Sequence, residues 1–143
     1  MRSNNMSKEF IEKKVEQMRI LLRELAELLN RPFEAFEDDP IIIRAAERDF
    51  QLLVDLASDI NAHILIERDR STPDTYRQSF SDLVHEGILP KELAHPLIAS
   101  AQVRNILVHE YDLEEDHKLF YESVKKFLPA YQEYLAALQK YIS

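Results

Sequence analysis

Apolar residues in this chain recur at spacings of four and three over stretches too long to be strands. Ile11, Val15, Met18, Leu22, Leu25 and Leu29 form the first such seam, and this period marks an amphipathic helix over residues 7–30. Arg31-Pro32 interrupts it, and Asp39-Pro40 then offers an N-cap followed by proline at the first helical position. A second helix is expected from 40 to about 70, with Ile42, Ala46, Leu53, Leu56, Ile60 and Ile64 on its apolar side. Thr72-Pro73-Asp74 marks a stop and a new start. Tyr76, Phe80, Leu83 and Val84 then predict a third, shorter helix ending at Gly87.

Pro90 opens a fourth helical stretch running through Leu97, Ile98, Ala101, Ile106 and Leu107, which Pro96 is expected to kink or to restart one turn later. Asp112 with Glu115 three residues on has the form of a capping box. A fifth helix is therefore placed from there through Leu119, Val124, Leu128, Tyr131 and Leu138. With only one Gly among 143 residues and no internal repeat, a turn-rich sandwich or barrel is excluded. The pattern predicts an all-α fold, an antiparallel up-and-down bundle of four to five helices forming a single domain over 1–143.

The absence of Cys excludes disulfides, thiolate zinc sites and cysteine nucleophiles. The amino terminus has no apolar signal core, and no run approaches the roughly 18 apolar residues of a membrane span, so a cytoplasmic protein without membrane association is expected. The net charge of −8 argues against broad, non-specific binding of nucleic acid. Basic residues gathered locally, or across a dimer, would still allow a weak and salt-sensitive contact with RNA.

The polar cluster in RNILVHEY (residues 104–111) is the candidate site. The segment falls at the end of one helix and in the link to the next. In an unbroken helix, positions five apart lie about 140° apart around the axis, so Arg104 and His109 converge only if the helix ends near His109 or the arginine reaches round. Asn105 and His109, four apart, share a face, and the amide can orient the imidazole. The partial negative charge at a helix C-terminus favours the imidazolium. A proton-shuttling histidine beside an arginine that can fork onto phosphate is a minimal apparatus for phosphodiester chemistry, and RNA supplies its own 2′-OH nucleophile without a metal or other cofactor.

Other groupings compete with this reading. His109, Glu110, Asp112, Asp116 and His117 can be drawn as a metal site, but the acids among them suit a helix N-terminus better. Asp55, Asp59 and His63 repeat every four residues and can line the same cleft; a solvated or interhelical polar face is the preferred reading. His85 and His95 are expected at the surface. Tyr131, Tyr134 and Tyr141 are expected in the core or an interface rather than as a base-stacking platform. Glu12, Lys13, Lys14 and Glu16 are expected to form a solvated face.

RNILVHEY fits the pattern Arg, four residues, His, one residue, Tyr, and so resembles the HepT-type toxins of the HEPN superfamily. The likeness extends through RAAERDFQLLVDLASDINAHIL (44–65) and TPDTYRQSFSDLVHEGILPKELAHPLIASAQVRNILVHEY (72–111). One departure is that the family often carries a Gly just before the motif, where this chain has Ala101, Gln102 and Val103. The resemblance implies a metal-independent ribonuclease toxin acting on tRNA or mRNA and neutralised by an MNT-type nucleotidyltransferase antitoxin. It implies that Arg104 and His109 are catalytic, that Asn105 supports them and that Tyr111 is the AMPylation site. It also implies a homodimer whose two motifs share one cleft. The alternative is a non-catalytic helical module that binds a nucleotide or a partner.

Overall fold

The computed structural model describes residues 5–109 and 116–143. Helix α1 (Asn5–Leu28) buries Ile11, Val15, Met18, Leu22 and Leu25, the expected seam. One element was not anticipated: α2 (Phe33–Glu37), a single turn that inserts Phe36 into the core. Helix α3 (Pro40–Glu67) starts where Asp39-Pro40 places it. The Asp39 carboxylate accepts from the amides of Ile41 (3.1 Å) and Ile42 (3.3 Å), two of the donors that a helix N-terminus leaves unpaired.

Helix α4 (Tyr76–His85) is capped by the Thr75 hydroxyl, which accepts from Gln78 N at 3.0 Å. It ends with Gly87 at φ +77°, a left-handed conformation in which the chain can turn back while Gly87 N and Ile88 N donate to the Val84 and Leu83 carbonyls. A 3₁₀ turn (Lys91–Leu93) then leads into α5 (Ala94–His109). Of the two expectations for Pro96 the restart is the one observed: the α-helix begins at Ala94, one turn after Pro90, and Pro96 is its third residue, where an amide would have no intrahelical acceptor to lose.

Helix α6 (His117–Ile142) begins later than the Asp112–Glu115 pattern suggests. Its cap is Asp116, whose carboxylate accepts from Leu119 N at 3.0 Å, while Asp112 and Glu115 themselves lie outside the described residues. Starting there puts Phe120, Val124, Phe127, Tyr131, Tyr134 and Leu138 on one buried stripe.

Cross-helix pairs establish the directions. Ser7 meets His63 and Lys14 meets Asp59, so α1 and α3 are antiparallel. Phe50 meets Phe120 and Phe127, while Asn61 meets Tyr134, so α3 and α6 run the same way across the bundle. The observed fold is the expected all-α helical bundle, and no strand occurs among the described residues. No helix among them is long and apolar enough to cross a membrane.

Tyr131 and Tyr134 are core residues, fully buried and packed edge-on with Phe80. Burial demands partners for their hydroxyls. The Tyr131 hydroxyl meets Ser100 Oγ at 2.7 Å. The Tyr134 hydroxyl donates to Asn61 Oδ1 at 2.6 Å, Asn61 Nδ2 donates to Ser79 Oγ at 3.0 Å, and Ser79 Oγ donates to the Tyr76 carbonyl at 2.7 Å. This thread of side chains ties α6, α3 and α4 together and ends at the first residue of α4.

Candidate functional site

Arg104 projects from α5 towards α3 and α4 and is mostly enclosed, its side chain 17% exposed. Asp55 of α3 holds one edge of the guanidinium: its Oδ1 accepts from Nε and lies 3.0 Å from both Nε and Nη2. Nη1 donates to Asn105 Oδ1 at 3.3 Å. The ring of Tyr76 lies against the guanidinium, with Cζ 4.6 Å from the ring centroid, a cation–π contact of a kind that strengthens as water is excluded. Asp55 acts on both members of this pair, holding the guanidinium and adding its charge beside the Tyr76 phenol. Burial, and next the negative charge of Asp55, push the Tyr76 phenol above its ordinary range, while Arg104 pulls the other way.

A guanidinium has five N–H donors. Nε and one hydrogen of Nη2 are directed to Asp55, and one hydrogen of Nη1 to Asn105. Among the described residues no acceptor takes the second donor on either Nη, a pair that could fork onto two oxygens of a phosphate.

His109 is the last residue of α5. Its position lies about 140° around the axis from that of Arg104 and one turn beyond Asn105; its side chain lies outside the described residues. So do Tyr111, Glu110 and Asp112. Between the motif's arginine and histidine, Ile106 and Val108 are exposed at 47% and 38%.

The stripe of Asp55, Asp59 and His63 divides. Asp55 belongs to the Arg104 cluster, against the preferred sequence reading. Asp59 instead pairs with Lys14 of α1 at 3.5 Å, and His63 stacks on Phe10 with Nε2 2.7 Å from Ser7 Oγ, which makes those two interhelical contacts as expected. Ser7, His63 and Glu67 do not form a nucleophilic triad, because Ser7 and Glu67 both approach Nε2 rather than opposite ring nitrogens. Lys14 departs from the solvated face assigned to it, bridging Asp59 and lying over the Phe10 ring. His85 and His95 are exposed. Among the described residues no group of three His, Cys, Asp or Glu is arranged to hold a metal, and Asp116 serves as a helix cap.

Sequence reasoning did not find Tyr76 as a site residue. Its helical spacing with Phe80 and Leu83 marks it as apolar packing, and nothing local signals that its ring lies against an arginine 28 positions later.

Residues 18–138 match the HepT-like family, described as ribonuclease HepT-like. The tRNA nuclease HepT of Aphanizomenon flos-aquae is 34% identical over 96 residues, which cover 67% of this chain and 65% of that protein. Among solved structures, the tri-AMPylated HEPN toxin of Shewanella oneidensis, in complex with MNT antitoxin, superposes with a TM-score of 0.83 at 19% identity. That match covers 96% of this chain and 99% of the toxin. A toxin–antitoxin structure with AMP-PNP gives the same score and identity over 92% and 98%. At such identity the structural matches speak for the bundle alone, whereas the family match spans most of the sequence: the chain belongs to the HepT-like ribonuclease family.

Proposed function

We propose that this protein is the ribonuclease toxin of a toxin–antitoxin pair, cutting RNA in the cytoplasm. Arg104 carries the reading. It stands at the arginine of the family's motif, held from three sides, with two N–H donors that no acceptor among the described residues takes. In the proposed reaction the 2′-oxygen attacks phosphorus, a P–O2′ bond forms and the P–O5′ bond breaks. His109 takes the 2′-OH proton or supplies one to the departing 5′-oxygen, and Arg104 stabilises the charge of the phosphorane. The products are a 2′,3′-cyclic phosphate and a 5′-OH, and no metal takes part. Asn105, one turn from His109, orients the imidazole and steadies Arg104.

An MNT-type nucleotidyltransferase is the proposed antitoxin. AMP attached to Tyr111 would place a bulky anion beside the motif and repel substrate phosphate. A second copy of the chain is the proposed companion on the α5 side, because α5 carries apolar residues around its whole circumference and leaves Ile106 and Val108 exposed.

A non-catalytic nucleotide- or partner-binding module is the second reading, favoured by the net charge of −8 and by the Asp55 carboxylate that offsets Arg104. Induced expression separates the two. Wild type without the antitoxin is expected to arrest growth and leave RNA with cyclic-phosphate ends, in vitro cleavage surviving EDTA, while Arg104→Ala and His109→Ala do neither. Equal growth of wild type and His109→Ala with intact RNA would favour the binding module, and cleavage only with added metal would overturn the mechanism.

A further inference from the structure

Resting on the ribonuclease reading, we infer that Asp55 and Tyr76, neither of them in the Arg104–Tyr111 motif, are positioning residues that lock the Arg104 guanidinium so that its remaining N–H pair is aimed at the scissile phosphate. A free arginine side chain samples many rotamers, and a guanidinium that must be ordered during the reaction loses part of its benefit. Here that ordering is complete beforehand. Asp55 clasps the Nε/Nη2 edge, the Tyr76 ring covers a face and Asn105 takes one Nη1 hydrogen.

The two holders are themselves anchored. Asp55 is flanked on α3 by fully buried Leu53, Val54 and Ala57. Tyr76 is fixed at its backbone by the buried thread from Tyr134 through Asn61 and Ser79 to its carbonyl. A donor pair fixed before charge develops stabilises a phosphorane without reorganising. Asp55 also offsets the arginine's charge at rest, when no phosphate is bound. Asp59, one turn along α3, is turned to Lys14 and reaches the cluster only through its charge on Tyr76, which makes it the control for loss of contact with Arg104.

The test measures kcat and KM for cleavage of bulk tRNA by wild type, Asp55→Ala, Asp55→Asn, Tyr76→Ala, Tyr76→Phe, Asp59→Ala and Arg104→Ala, each shown to be folded by its thermal melt. Loss of positioning is expected to lower kcat on the order of 100-fold in Asp55→Ala and Tyr76→Ala, with a smaller change in KM. Asp55→Asn, which keeps an oxygen acceptor for Nε, and Tyr76→Phe, which keeps the ring, should recover most of the rate; Asp59→Ala should match wild type. Asp55→Ala cleaving at the wild-type rate or faster, or Asp55→Asn recovering nothing, would overturn the assignment. Arg104→Ala cleaving like wild type would instead overturn the ribonuclease reading. Should wild type cut no tRNA, the Arg104 Nε–H resonance in ¹⁵N-labelled protein decides. It is expected to persist in wild type and to be lost to water exchange in Asp55→Ala, and identical resonances in the two would overturn the positioning role.

Discussion

Asp49 and Asp55 lie less than two turns apart on α3, yet their neighbours give them opposite surroundings. Asp55 faces a guanidinium. Asp49 is partly buried beside Glu24 of α1; burial, then the charge of Glu24 and a hydrogen bond to it, raise its carboxyl from 3.8 to about 6. Below the unfolded value both states hold the proton and Asp49 contributes nothing. As pH rises from 3.8 to about 6 the unfolded chain releases the proton more readily, so stability falls through that window, and the full penalty applies above it. Asp49→Asn is therefore expected to raise stability at pH 7.5 by on the order of 1 kcal/mol, allowing for solvent screening. The gain should disappear below pH 4, and urea unfolding at the two pH values checks it. Residue type alone does not reveal any of this. Aspartates at 49, 55 and 59 look alike in the sequence, and what distinguishes them is which helix each one faces.

Helix starts were legible where a cap and a proline coincide and ambiguous where acids crowd together. Asp39-Pro40 has one register, and the structure uses it. Asp39→Ala leaves the Ile41 and Ile42 amides without their acceptor and should cost about 1 kcal/mol, seen as a lower denaturation midpoint, with RNA cleavage per folded molecule unchanged. The run from Asp112 to Asp116 permits more than one start. The register is settled by the buried stripe from Phe120 to Leu138, a long-range demand that no four-residue pattern contains. Pro96 teaches a similar lesson: the cost of a proline depends on its distance from the helix start, and that start was fixed by the 3₁₀ turn before it.

At the scale of the molecule, the 3.6-residue period was sufficient for the bundle, because each amphipathic helix has only the others to cover its apolar side. The site was less legible. Arg104, Asn105 and His109 stand together in the sequence, but Asp55 and Tyr76 reach Arg104 only through the packing of three helices. Helix α5 is the exception to the amphipathic rule, and its exposed Ile106 and Val108 are where the proposed second copy would pack. Sedimentation is expected to show a dimer for wild type and a monomer for Ile106→Glu combined with Val108→Glu. A monomeric wild type would remove the shared cleft from the proposal.

The hydrogen-bonded thread from Tyr134 to the Tyr76 carbonyl has an evolutionary consequence. An interior built only of interchangeable aliphatic side chains can drift under mutation while a surface motif is conserved separately. Here an asparagine and a serine in the interior support the residue that lies against Arg104, so replacing Asn61 or Ser79 is expected to disturb the arginine's seat. Core and motif are then expected to change together.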